Sequence, residues 1–457
     1  MADAAAHLRR IVELMPGEAA NWFNLGFALR GTRDFDGALE AYARSTALET
    51  RCEGALVNRA VILKDDLGRI DDAERELRQA LAMAPTFVPA WFNLGLLHEV
   101  MGRRGDAKAA YREAIAAEPL HAPSHARLAA LEEDPQRGIA HVVNLLRRGR
   151  FAQEDATSLE FALANALDRA ERYDEAFTVA TRANERSASL RRPQFRYEPV
   201  AHEALVDRLI ATFPEAPPRG APSHGPRAVF ICGMFRSGST VTERWLVRHP
   251  QIAAGGELEA IPVIVRERIA PYPEGVPALG RGELDALRTE YLDALARAAP
   301  GAAIVTDKRC DNFLHIGLIK TLFPDAVVVH TARDVLDIAV STYFLEFAEP
   351  MGYTTRLADI AHYLTQYRRL MAHWEKVFGP DIVRVEYERL VSDAPGELAP
   401  VFDRLGLAPT DLGDTMREDA IRTPSAWAAR APLNSRSVGR WRNYARYLGA
   451  VRAALDA

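Results

Sequence analysis

The residues best suited to chemistry begin at Gly233, where the turn GMFRSGST (Gly233 to Thr240) follows the apolar run RAVFIC and opens the amphipathic run VTERWLVRH. A glycine-rich turn between a strand and a helix brings several backbone amides and the positive helix end to one point, which favours a phosphate-like anion. Gly233, four intervening residues and then Gly238, Ser239 and Thr240 have the spacing of a phosphate-binding loop, but Ser239 stands where a triphosphate site carries lysine. Arg236 lies inside the turn and can supply a cation instead.

That exchange bears on the reaction class. A phosphate-transferring kinase needs the loop lysine and a carboxylate for Mg²⁺, and the first is absent at Ser239. A donor with one 5′-phosphosulfate needs less countercharge.

FICGMFRSGST resembles the 5′-phosphosulfate loop of sulfotransferases, and VVVHTARDVLDIAVSTYF resembles their 3′-phosphate motif. The resemblance implies a P-loop-like α/β domain that takes 3′-phosphoadenosine 5′-phosphosulfate, releases 3′-phosphoadenosine 5′-phosphate and uses no metal. It places Arg236, Ser237, Gly238, Ser239 and Thr240 around the phosphosulfate, and Arg333 and Ser341 on the 3′-phosphate. A helix starting near Asp334 would bring Ser341 round two turns later, beside the strand end that carries Arg333. Val335 stands where relatives often have proline, which alters turn stiffness and leaves the anion ligands unchanged.

A third segment, TPSAWAARAPLNSRSVGRWRNY (Thr423 to Tyr444), is similar to the C-terminal part of bacterial repeat-fused sulfotransferases and, more loosely, of tyrosylprotein sulfotransferases. It implies Ser425, reached only through a one-residue slip, and Arg440 as site residues, with Tyr387 of RVEYERL near the nucleotide. Transfer to a hydroxyl calls for a base. Matching to the tyrosylprotein family from Arg236 through His249 and Pro250 selects Glu257 of HPQIAAGGELE, with Glu259 in reserve. The resemblance gives Lys308 of TDK the bridging oxygen of the donor.

Blander readings stand beside these. Glu257 could cap a helix, Lys308 could be a solvated rim lysine, and Arg333 could pair with Asp334 or Asp337. Ser341 could bond its own backbone. His249 and His330 read as structural residues at element ends. A repeat scaffold that binds nucleotide and partners without catalysis is the alternative to an enzyme.

The elements that must position these groups alternate. RAVFIC, AAIVT, AVVVHT and IVRVEY are short β-branched runs, each followed by helical spacing, which predicts a parallel sheet covered on both faces. The front half differs: NWFNLGFALR (Asn21 to Arg30) returns as AWFNLGLLHE (Ala90 to Glu99), and Ala73, Leu77, Ala80 and Pro85 recur 34 residues later as Ala107, Tyr111, Ala114 and Pro119. That period resembles tetratricopeptide repeats. The expected organisation is an α-helical repeat solenoid over 1–135, a divergent repeat-like helical region over 136–212, a Pro- and Gly-rich linker over 213–226 and the sulfotransferase-like domain over 227–457.

Composition adds bounds. An apolar share of 48% and a charged share of 26% describe a globular chain, and a net charge of −5 gives no general attraction to nucleic acid or anionic membrane. Arg9, Arg10 and Glu13 interrupt the first apolar stretch, and no stretch has the length of a membrane span, so a cytoplasmic protein is expected. Cys52, Cys232 and Cys310 have neither disulfide nor zinc spacing. The expected partners are a hydroxyl-bearing acceptor (protein tyrosine, carbohydrate or small molecule) and a peptide or protein in the repeat groove. No oligomeric state is read from the sequence.

Overall fold

The computed structural model describes residues 2–49, 51–217, 225–347, 351–408 and 437–456. Contacts divide the chain into two units whose described parts run from residue 2 to Val179 and from Ala180 onward.

The first unit is a series of antiparallel helices: α1 (Ala2–Leu14), α2 (Ala19–Gly31), α3 (Phe35–Leu48), α4 (Glu53–Val61), α5 (Ile70–Met83), α6 (Val88–Val100), α7 (Arg104–Ala117), α8 (Ala122–Ala130), α9 (Pro135–Arg148) and α10 (Gln153–Arg169). The repeated residues do repeated work. Trp22 donates its indole N–H to the Pro16 carbonyl and Trp91 to the Pro85 carbonyl, both at 2.8 Å. The turns between paired helices pass through left-handed residues at Arg33, Gly68 and Gly102. Helix α4 continues as a π-helical turn, Ile62–Asp66, and together they are one residue longer than α2 or α6. The wide turn absorbs the extra residue of the middle repeat.

Tyr42 and Tyr111 are fully buried against Gly26 and Gly95, the small residues of the facing helices. A Cβ at Gly95 would press into the Tyr111 ring. Gly95→Ala is therefore expected to destabilise the repeat unit by about 1–3 kcal/mol through overpacking, against at most about 1 kcal/mol gained in helix propensity. Thermal unfolding of the full chain checks this, and a raised midpoint for the first unit would contradict it.

The second unit holds a parallel sheet of β1 (Arg227–Gly233), β2 (Ile252–Ala254), β3 (Ile304–Lys308), β4 (Val327–Ala332) and β5 (Ile382–Glu386), in the order β2-β3-β1-β4-β5. Four of these strands are the β-branched runs of the sequence, and β2 was not among them. Val229, Ile231, Val327, Val329 and Val385 pack on one face against Leu398, Val401 and Phe402 of helix α20 (Ala394–Leu405). Phe230 stacks on the other face against Tyr291 of α15 (Arg281–Ala298).

The division at Val179 falls inside helix α11 (Tyr173–Leu190), upstream of the 213–226 stretch where composition places the boundary. Side-chain bonding accounts for this. Asn184 donates to the Tyr343 carbonyl at 2.8 Å, and Tyr343 donates to the Thr181 hydroxyl at 3.1 Å, so the end of α11 packs with the sheet unit. Helix α12 (Pro199–Thr212) joins the same unit by packing on α18 (Leu357–Phe378). Among the described residues no helix is long and apolar enough to cross a membrane.

Candidate functional site

A parallel sheet presents the carboxyl ends of all its strands on one edge, and the chain reverses direction across β1, the place where such sheets bind ligands. Each strand here ends in a residue singled out by the sequence. In spatial order these are the turn after β2 with Glu257, Lys308 closing β3, the 233–240 turn after β1, Arg333 after β4 and Tyr387 after β5.

The 233–240 turn is held by its glycines. Gly233 has φ +150° and a Cβ there would run into Thr331 of β4; Gly238, at φ +102°, would place one 2.6 Å from the Tyr387 ring. Arg236 is itself left-handed, with φ +74°. Ser237 bonds the Thr331 hydroxyl at 2.7 Å, and Ser239 the Cys310 thiol at 3.3 Å. Ser239 and Thr240 open helix α13 (Ser239–Leu246), with Gly238 as its cap residue.

The two anion motifs meet. Arg236 donates from Nε to the Ser341 hydroxyl at 3.0 Å, and Arg333 donates to the Arg236 carbonyl at 3.0 Å. Helix α17 (Val335–Tyr343) starts where the sequence predicts, because the Asp334 carboxylate accepts the amides of Leu336 and Asp337. Asp334 is spent on its own helix, whereas Asp337 forms a buried ion pair with Arg333 at 4.0 Å, as one sequence expectation has it, and also accepts the amides of Gly439 at 2.6 Å and Trp441 at 2.8 Å. Buried Arg333 Nε has no hydrogen-bond partner among the described residues.

Tyr387 carries the Arg333 guanidinium over its ring at 4.7 Å and bonds the Ser437 hydroxyl at 2.8 Å. Arg440 lies over the Phe344 ring at 4.9 Å. Burial first, then the nearby Arg333 and Arg440, lowers the pKa of Arg236. Three cations thus crowd one place. Ser425 lies outside the described residues.

On the other side of β1, Lys308 bonds the Glu257 carboxylate. The lysine side chain is 2% exposed and that of Glu257 is 49% exposed, so the carboxylate opens to solvent and the ammonium does not. Burial alone would lower the Lys308 pKa, yet Glu243 and Glu257 more than offset it and leave it raised. Glu259 is paired with Arg309. Asp307, on the opposite face of β3, is pushed up to about 7 by burial despite bonds from Tyr291 at 3.0 Å and Asn312 at 3.4 Å.

Glu243 and Ser437 were not singled out from the sequence, and Asp337 was named only as a partner for Arg333. The spacing Ser239, Thr242, Glu243, Leu246 in α13 is that of one helical face, which could have marked Glu243 as inward-facing. Ser437 left no comparable signal. His249 packs on Phe402 after the end of α13, while His330 lies inside β4 rather than at its end and bonds Tyr367 and Glu375.

Residues 226–411 match the family model described as the sulfotransferase family. This is a sulfotransferase-family domain. Residues 88–119 match the tetratricopeptide repeat model, so the sulfotransferase-family domain stands behind repeats. A protein of Aquifex aeolicus (strain VF5), described as uncharacterized, is 31% identical over 327 residues, covering 67% of this chain and 42% of its own length. The chain thus spans less than half of that relative. Among solved structures, sulfotransferase STF9 from Mycobacterium avium is similar at 15% identity over 63% of this chain and 95% of its own, with a TM-score of 0.30. A MamA protein is similar at 19% identity over 37% of this chain and 91% of its own, also at 0.30.

Proposed function

We propose that the sulfotransferase-family domain moves a sulfuryl group from 3′-phosphoadenosine 5′-phosphosulfate to an acceptor hydroxyl by in-line displacement. The observation that carries this reading is the joining of Arg236, Ser341 and Arg333 by direct hydrogen bonds at the ends of neighbouring strands. A single nucleotide with two separated anions suits that arrangement, and the partnerless Arg333 Nε is a buried donor that the 3′-phosphate would satisfy.

Arg236 and the amides from Ser237 to Thr240 would hold the phosphosulfate, while Arg333, Ser341 and Arg440 hold the 3′-phosphate, with Tyr387 against the Arg333 guanidinium. The donor supplies an activated sulfate whose leaving group is a phosphate. Glu257 takes the proton of the acceptor hydroxyl as its oxygen bonds to sulfur. The bond from sulfur to the bridging oxygen breaks, that oxygen keeps the electron pair, and Lys308 turns from Glu257 to neutralise it. The products are a sulfate ester and 3′-phosphoadenosine 5′-phosphate. Ser425 is proposed as a further contact from the resemblance alone. The acceptor is a protein tyrosine, a carbohydrate or a small molecule, and the repeats offer a surface to a peptide or protein.

Incubating the protein with radiolabelled phosphosulfate donor and fractionated cell lysate tests the reading. Label is expected in a product that separates from the donor, with donor affinity in calorimetry unchanged when Mg²⁺ is chelated. Tight donor binding without any labelled product would favour a catalytically silent scaffold, and Mg²⁺-dependent binding would point back to phosphoryl transfer.

A further inference from the structure

Glu243 sits on the inner face of α13, 8% exposed, in a place where an unpaired carboxylate would be costly. It is not unpaired. The Thr306 hydroxyl donates to its Oε1 at 2.7 Å, and the Gly256 amide bonds it as well. These partners are adjacent to the reacting groups: Gly256 precedes Glu257, and Thr306 stands two residues before Lys308 on β3.

The same few residues are tied again through the backbone. Lys308 donates its amide to the Gly256 carbonyl at 2.7 Å, and Gly255 donates to the Thr306 carbonyl at 3.0 Å. Gly256 is left-handed, with φ +71°, so the turn that presents Glu257 is shaped at the residue Glu243 holds. Lys308 therefore bonds Glu257 directly, while the Glu243 carboxylate, held by Thr306 two residues before Lys308 on the same strand, acts on it electrostatically.

We infer that Glu243 is a positioning residue: a buried counter-ion that keeps Lys308 charged when Lys308 leaves Glu257, and that anchors the Glu257 turn. A buried ammonium with one carboxylate partner cannot release it cheaply, because desolvation then favours the neutral amine. Burial raises the Glu243 pKa, and the nearby Lys308, the Thr306 hydroxyl and the Gly256 amide oppose that rise; where Glu243 is ionised, the ammonium keeps a negative neighbour throughout. Glu257 is then released for the acceptor proton. The catalytic sense of this inference rests on the sulfuryl-transfer reading above, but its electrostatic content does not.

The charged and titratable groups facing Lys308 are Glu243, Glu257 and Cys310; those facing Glu243 are Lys308 and Glu257. The sign of the effect follows. Burial lowers the Lys308 pKa and the two carboxylates raise it, so removing the Glu243 charge must move it down.

The chain has only five lysines (Lys64, Lys108, Lys308, Lys320 and Lys376), so ¹⁵N labelling of lysine side chains leaves few signals, and Lys308→Met assigns the one of interest. In the Glu243→Gln protein, which keeps the shape and drops the charge, the Lys308 ammonium is expected to titrate at least about one pH unit lower than in the unchanged protein. If transfer is confirmed, the alkaline limb of kcat should move down with it while donor affinity stays put, a split that simple loosening of the fold would not produce. An unmoved Lys308 titration in a folded Glu243→Gln protein overturns the inference, whether or not transfer is ever observed. Should that variant not fold, Glu243→Asp draws the charge back by one methylene and is expected to shift Lys308 the same way by less; no shift there overturns it equally.

Discussion

Transfer should fall by about 10²- to 10⁴-fold when Glu257 is replaced by Gln, the range associated with losing a positioned general base. The amide keeps the size of the carboxylate and can still accept a bond from Lys308, so the turn between β2 and α14 (Ala260–Arg268) has no reason to move. What it cannot do is take a proton. Donor affinity, measured by calorimetry with the product nucleotide, should stay near that of the unchanged protein, because Glu257 lies on the Lys308 side of β1 and the anion cluster on the other. Glu259→Gln is the control. Its carboxylate is committed to Arg309, and its loss should leave turnover largely intact. Full turnover in Glu257→Gln would refute the assignment, and loss in Glu259→Gln alone would transfer it to the neighbour.

Arg333→Ala should weaken donor binding by about 10- to 100-fold, since hydrogen bonds to charged groups contribute about 1.5–3 kcal/mol and each 1.4 kcal/mol is a factor of ten. A drop alone would not prove contact with the 3′-phosphate, because Arg333 also bonds the carbonyls of Arg236 and Ser437. The decisive comparison is with adenosine 5′-phosphosulfate, which lacks that phosphate. In the unchanged protein the 3′-phosphorylated donor should bind far better; in Arg333→Ala the two should become similar. An equal loss for both donors would mean that Arg333 only supports the 236 turn.

The two variants probe opposite sides of one strand, and their separation has a structural origin. In a sheet ordered β2-β3-β1-β4-β5, β1 divides the groups that would act on the acceptor and leaving group from those that would hold the far phosphate. The loop after β1 touches both: Ser239 bonds Cys310 beyond Lys308, while Ser237 bonds Thr331 of β4.

Much of this could be read along the chain because its causes are local. The 233–240 turn needs glycines where the backbone is left-handed or crowded, and they are visible as letters. Asp334 starts α17 by capping it, so the place of Ser341 two turns later follows from helical periodicity. The repeats announce themselves because each unit must bury the same face, and Trp22 and Trp91 make the same bond. Strand β2 did not, since three residues carry no periodicity to detect. Nor did the division at Val179, which depends on Asn184 and Thr181 meeting Tyr343 across a gap of about 160 residues in sequence.

By itself the sequence determined the elements and the local chemistry: which turns can bend, where helices start, which residue types could face an anion. The order of the strands was decided only in the tertiary structure, and with it the neighbours of each group. Lys308 acquires two carboxylates, Glu243 loses its water and Arg236 comes against Ser341 because a parallel sheet stacks strand ends that lie far apart in sequence. The physical reason is the same in each case. Backbone geometry is set by neighbours in sequence, whereas burial and charge pairing are set by neighbours in space.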